Sequence, residues 1–208
     1  MIINEMTYPG GTRVLVWCLE EEAPRLLALC REAGIAVDDL EELPVKRQRE
    51  KAAERLLLCH AVGHPVILEH TDQGAPYVRG LDVNISITHT PRLVALAIDD
   101  CQVIGLDAEQ ADRRQVLRVR SKFLNAVEQQ FIDPDDLAAH VVAWTAKEAV
   151  IKAERNSAID WTEGIRLEEM AACPDGATLV AVCDDRRYRL FTQVLDGHYL
   201  TLAVPCPQ

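Results

Sequence analysis

Twice along this chain of 208 residues the hydrophobic spacing changes from helical to alternating. From Val45 to Val62 the apolar residues Ala52, Leu56, Leu57 and Ala61 recur at helical intervals, and Gly63 closes the segment. That is the signature of an amphipathic helix with a glycine C-cap. Beyond it, Val66 to Glu69, Tyr77-Val78, Val83 to Thr88 and Leu93 to Asp99 read as strands, separated by turn clusters such as Asp72-Gln73-Gly74. They predict a small antiparallel sheet. The order then recurs, with helices expected at about 113–130 and 135–155, and strands near 165–169, 177–183, 186–195 and 198–204. Upstream, 13–19 reads as a strand and 21–33 as a short helix opened near Pro24. Helix first and sheet after, in both halves, predicts an α+β fold of two lobes, 1–103 and 104–208, without a close sequence repeat.

Composition narrows what such lobes can do. A content of 49% hydrophobic and 26% charged residues is that of a globular protein. No apolar run reaches the length of a membrane span and the start has no secretory pattern, so a cytoplasmic protein without a membrane partner is expected. A net charge of −11 argues against nucleic acid, whose phosphates need a basic surface. Seven cysteines, at 18, 30, 59, 101, 173, 183 and 206, show no Cys-x-x-Cys pairing and are expected to be reduced, buried thiols.

Chemistry concentrates in two segments. In Gly105-Leu106-Asp107-Ala108-Glu109, strand geometry puts Asp107 and Glu109 on one face and Ile104, Leu106 and Ala108 on the other. In Trp144 to Ala153, residues four apart stack Trp144, Glu148 and Lys152 along one helical stripe. Carboxylates gathered together repel unless a cation holds them ionised. Oxygen-only ligands with no nearby His or Cys suit magnesium, and manganese accepts the same donors. Magnesium commonly shares its shell with substrate phosphates, so phosphate handling is the chemistry implied.

These segments resemble the 4'-phosphopantetheinyl transferases, in the larger two-lobe type that activates peptide and polyketide synthetases. The family's Gly-hydrophobe-Asp-x-Glu strand is similar to Gly105–Glu109, and its Trp-x-x-Lys-Glu helix to the run from Trp144, with Lys147-Glu148 and Lys152. Ile87-Thr88-His89-Thr90 looks like the family's Ser-His-Ser strand end, and Phe123 with Glu128 like its Phe-and-Glu helix. The resemblance spans roughly residues 45 to 205. It implies two pseudo-symmetric α+β lobes, each a small, mostly antiparallel sheet on a long helix, with coenzyme A bound between them. It implies an enzyme of the holo-acyl-carrier-protein synthase type, acting as a monomer on an apo acyl, peptidyl or polyketide carrier protein. Asp107, Glu109 and Glu148 would hold Mg2+. Lys152 would contact the coenzyme A pyrophosphate and steady the leaving group, and Glu148, directly or through a metal-bound water, would be the base. His89, Thr90 through its N–H and hydroxyl, and Arg55 would bind coenzyme A phosphates. Lys147 has structure or a peripheral phosphate contact as its expected role, and Trp144 packing against the sheet.

The chain departs from the family in having Gly74-Ala75-Pro76 where Gly-Lys-Pro is common. Thr-His-Thr in place of Ser-His-Ser keeps both hydroxyls. Arg113, Arg114, Arg118, Arg120 and Lys122 put five cations within ten residues. They read equally as a solvated helix face or as a dock for an acidic carrier. Two other functions compete: a non-catalytic coenzyme A or carrier-binding paralogue, and a magnesium-dependent phosphohydrolase.

Overall fold

The computed structural model describes residues 3–169 and 179–207. Two compact units divide the chain, Met1–Cys101 and Gln102–Gln208. Both are α+β with antiparallel sheets.

In the first unit, β1 (Ile3–Thr7), β2 (Arg13–Cys18), β5 (Asn84–His89) and β6 (Leu93–Asp99) form one sheet in the order β1-β2-β6-β5. The sequence reading had no strand at β1. Asn4, Glu5 and Thr7 are exposed there, so this edge strand lacks the apolar alternation that marks a buried one. The expected hairpin partners β3 (Leu68–His70) and β4 (Pro76–Val78) pair only with each other, in a separate ribbon. Helix α3 (Val45–Val62) packs Ala52, Ala53, Leu56 and Leu57 into a core with Leu15 and Trp17 of β2 and Val94, Leu96 and Ile98 of β6. Gly63 ends it in the left-handed region, at φ 88°, as a C-cap glycine should. Helix α1 (Ala23–Glu32) lies against α3, and a short α2 (Asp38–Glu41) joins the two.

The second unit is a sheet of five strands in the order β7-β11-β10-β9-β8. Its strands are β7 (Gly105–Gln110), β8 (Ile165–Glu169), β9 (Leu179–Cys183), β10 (Arg186–Leu195) and β11 (His198–Pro205). Helix α6 (Leu137–Glu154) crosses it, opened by Asp136, whose carboxylate accepts from Ala139 N–H at 3.0 Å. The single helix expected at about 113–130 is instead α4 (Gln115–Val119), a 3-10 turn (Arg120–Lys122) and α5 (Glu128–Phe131). Asn125 Oδ1 accepts from Glu128 N–H at 2.9 Å while Glu128 Oε2 accepts from Asn125 N–H at 2.9 Å. This reciprocal pair is a capping box, so it starts a new helix and separates Phe123 from Glu128.

Among the described residues all six cysteines are free. Cys30 and Cys183 are buried, as expected, but Cys101 is exposed; Cys173 lies outside the described residues. Burial pushes the thiols of Cys30 and Cys183 up to about 11. No described helix is long and apolar enough to cross a membrane.

Candidate active site

Helix α6 lies over the face of β7 that carries Gly105, Asp107 and Glu109. A Cβ on Gly105 would overlap the carbonyl oxygen of Ala149 and crowd Ala153 N, so only glycine permits this approach. Thr201 of β11, directly opposite Asp107, shares a hydrogen bond with Thr145 of α6 at 2.8 Å and another with Thr192 at 2.9 Å. The helix is therefore seated on the acid face, while Ile104, Leu106 and Ala108 are buried on the other.

This seating brings Asp107, Glu148 and Lys152 together. The Lys152 ammonium donates to Asp107 Oδ1 at 2.8 Å and to Leu106 O at 2.9 Å. Burial, and then the neighbouring Asp107 carboxylate, push the Glu148 carboxyl above its usual range, while Lys152 and Arg113 pull against that shift. Glu109 is paired instead with Arg113, whose guanidinium lies 5.3 Å from the centroid of the Trp144 ring. Among the described residues no group of three or more His, Cys, Asp or Glu side chains is arranged to hold a metal ion. Two of the three expected ligands, Asp107 and Glu148, nonetheless repel each other in a half-buried setting. Divalent charge relieves that repulsion, and carboxylate oxygens are its hard donors, so the pair fits such an ion.

Lys147, one residue before Glu148, points the other way and has no solvent exposure. Its ammonium donates to Glu128 Oε2 at 2.7 Å, Trp161 O at 2.7 Å and Ile165 O at 2.8 Å, which uses all three of its N–H bonds. Glu128, also buried, accepts from Leu167 N–H at 2.7 Å through its other oxygen. Lys147 is thus a structural pin that fixes the rotation of α6, and with it the direction in which Glu148 points.

In the first unit, His89 ends β5 with Nδ1 at 3.6 Å from Glu50 Oε1. Glu50 is buried on α3, and its side chain also faces Arg47 at 2.9 Å and Lys46 at 3.8 Å. Two expected phosphate contacts are occupied otherwise. Thr90 spends its backbone N–H on Leu93 O at 2.8 Å, and its hydroxyl oxygen accepts from Arg92 N–H at 3.3 Å, because both shape the turn into β6. Arg55 forks onto Asp39 at 2.9 and 2.5 Å and donates to Ala36 O at 2.7 Å. That hydrogen bonding holds the Asp39 carboxyl below the usual carboxylate range. The cations that the structure brings to His89 through Glu50 are Lys46 and Arg47. Ala75 sits in a turn closed by Thr71, whose N–H donates to Ala75 O at 2.9 Å.

Residues 103–203 match the sequence profile of the 4'-phosphopantetheinyl transferase superfamily. The similarity to that superfamily is carried by the second unit. The matched span contains Asp107, Glu109, Glu128, Glu148 and Lys152, and residues 1–102 lie outside it. No curated protein shows significant similarity to the chain.

Beside the acids of this unit is an aromatic stack. Trp144 meets Phe123 edge-on at 5.3 Å and Trp161 at 4.8 Å, which anchors α6. A pocket of about 320 Å³ opens there, lined by Trp144, Trp161, Val116, Val119 and Lys122 among others. Of the basic run, Arg114, Arg118 and Lys122 are exposed, whereas Arg113 is held by Glu109 and Trp144. Sequence reasoning singled out neither Glu50 nor Thr145. The signal for Glu50 was an acid three and four residues after two cations on one helix.

Proposed function

We propose that the protein moves 4'-phosphopantetheine from coenzyme A to a serine hydroxyl of an apo acyl, peptidyl or polyketide carrier protein, releasing 3',5'-ADP. The observation that carries this reading is the convergence of Asp107, Glu148 and Lys152 within the matched span. In the reaction, the serine oxygen bonds to the phosphorus of the pantetheine phosphate as that phosphorus loses its bond to the bridging pyrophosphate oxygen. Glu148 takes the serine proton, a role supported by its half-buried place beside Asp107. Lys152, already aimed at the Asp107 carboxylate, balances charge on the departing phosphate. Asp107, Glu109 and Glu148 would hold a Mg2+ or Mn2+ ion, whose chemistry there would be Lewis-acid polarisation of the phosphoryl oxygens.

Residues 1–103 contribute phosphate contacts around His89 in this reading, and 104–208 the chemistry. Exposed Arg114, Arg118 and Lys122, next to the aromatic pocket, favour an acidic carrier with an apolar anchor. The enzyme acts as a cytoplasmic monomer of the larger family type; an obligate trimer in sedimentation would contradict this.

The test is intact mass spectrometry of an apo carrier protein incubated with the protein, coenzyme A and magnesium, beside an EDTA control. A metal-dependent gain of one phosphopantetheine on the carrier is expected. No gain across several carriers, with coenzyme A still bound, would favour the non-catalytic paralogue, for which Ala75 in place of lysine speaks. Turnover of coenzyme A without a carrier would favour a phosphohydrolase.

A further inference from the structure

Glu50 places an acid among the cations expected to meet an anion. Its side chain is only 3% exposed, yet it faces two cations and a histidine that reach solvent: Lys46 at 71%, Arg47 at 48% and His89 at 37% exposure. One carboxylate oxygen is satisfied by Arg47 at 2.9 Å. The other, Oε1, is buried without a hydrogen-bond partner, with His89 Nδ1 at 3.6 Å and Lys46 Nζ at 3.8 Å. A buried carboxylate with an unfilled acceptor is costly, and such costs are tolerated where the group organises something else.

What Glu50 organises is a set of donors. Lysine and arginine on an exposed helix turn sample many rotamers, and ordering them on binding consumes affinity. A buried anion three and four residues along the helix draws both stems to one side. It also turns the Nδ1 edge of His89 inward, which leaves Nε2 on the outward edge, as a carboxylate does for a metal-bound histidine. With Nε2 turned outward toward a phosphate oxygen, Nδ1 stays 3.6 Å from Glu50 Oε1, which holds the ring in that orientation. Positive charge remains in excess over Glu50, so the cluster still attracts an anion.

We propose that Glu50 is the positioning residue of the coenzyme A phosphate site, orienting His89, Lys46 and Arg47 from beneath. The inference rests on the reading that His89 binds a phosphate of coenzyme A. It is tested by calorimetric binding of coenzyme A and of 3'-dephospho-coenzyme A to wild type, Glu50→Gln, His89→Ala and the double variant, with thermal unfolding as the fold control.

His89→Ala and Glu50→Gln are each expected to weaken coenzyme A binding about tenfold, the loss of one charge-assisted hydrogen bond. Because Glu50 acts in part through His89, the double variant is expected to lose clearly less than the product of the two single losses. In turnover, KM for coenzyme A should rise in Glu50→Gln far more than kcat falls, which general structural damage would not produce. If the wild-type preference for coenzyme A over the 3'-dephospho form disappears in Glu50→Gln, the site holds the 3'-phosphate. If both ligands weaken in parallel, it holds the pyrophosphate, and either pattern supports positioning. Wild-type affinity in Glu50→Gln, or losses that multiply in the double variant, would overturn the proposal while leaving the phosphate reading intact. Unweakened binding by His89→Ala, or no coenzyme A binding by wild type, would remove the reading itself and the proposal with it. Should Glu50→Gln fail to fold, Glu50→Asp keeps the charge but withdraws it by a methylene and is read in the same cycle.

Discussion

Replacing Lys147 with methionine removes a charge that is fully enclosed and leaves its partners in place. Three acceptors lose their donor: Glu128 Oε2 at 2.7 Å, Trp161 O at 2.7 Å and Ile165 O at 2.8 Å. Glu128 keeps N–H donors from Asn125 and Leu167 but stays a buried anion without a counter-ion. Breaking a buried pair from one side costs roughly 3–5 kcal/mol. Against a total stability of about 5–15 kcal/mol, that is roughly a fifth or more. The melting midpoint should fall by about 6–20 °C, at roughly 2–4 °C per kcal/mol for a chain of this size. Tryptophan fluorescence during urea unfolding is the assay, since Trp161 carries one of the acceptors and Trp144 packs on it. In a double-mutant cycle, Glu128→Gln with Lys147→Met should recover about 1–3 kcal/mol relative to the sum of the singles. A loss below about 1 kcal/mol for Lys147→Met would refute the reasoning, because it would mean the ammonium is solvated in the native state.

Asp107→Ala and Glu148→Gln should each abolish carrier modification by mass spectrometry while circular dichroism stays native. In EDTA, Glu148→Gln should also be more stable than wild type: the folded carboxyl is raised above its unfolded 4.5, so wild type loses stability as pH rises from 4.5 through the raised value. Chemical denaturation across that range checks the sign. Gly105→Ala should cost about 1–3 kcal/mol of stability by overpacking α6 against β7. The shift it forces on Glu148 should lower transfer about 100-fold in the same preparation. A thiol reagent at pH 8 should label exposed Cys101 rapidly and Cys30 and Cys183 only on unfolding. Because those two thiols are raised from 9.0 to about 11, the unfolded chain ionises first and stability should fall as pH climbs from 9 to about 11.

The elements legible in the sequence were those whose spacing is set by one buried face. Helices α3 and α6 and strands β2 and β6 each carry a full apolar stripe, and their ends were read to within a residue or two. The break after Lys122 was not, because Asn125-x-x-Glu128 is both a capping box and plausible helix interior, and only Lys147 from a distant helix decides between them. Asp107, Glu148 and Lys152 were legible because strand and helix periods alone put each on its face. The partners of Arg55 and Lys147 were hidden for the opposite reason. Asp39 lies sixteen residues before Arg55, and two of the Lys147 acceptors are main-chain carbonyls, which leave no mark on side-chain pattern.

Glycine at 105 and alanines at 149 and 153 let helix and strand touch backbone to backbone. A contact of that kind works as a hard stop. With no side chain between them to compress or rearrange, the rails bearing Asp107 and Glu148 stand at a set gauge before any ligand arrives. Adjustment to what enters falls to the flexible ends of Lys152, Glu109 and Arg113. Tuning by substitution should therefore succeed at Arg113, which has no part in the chemistry, and fail along the Gly105–Ala149–Ala153 seam.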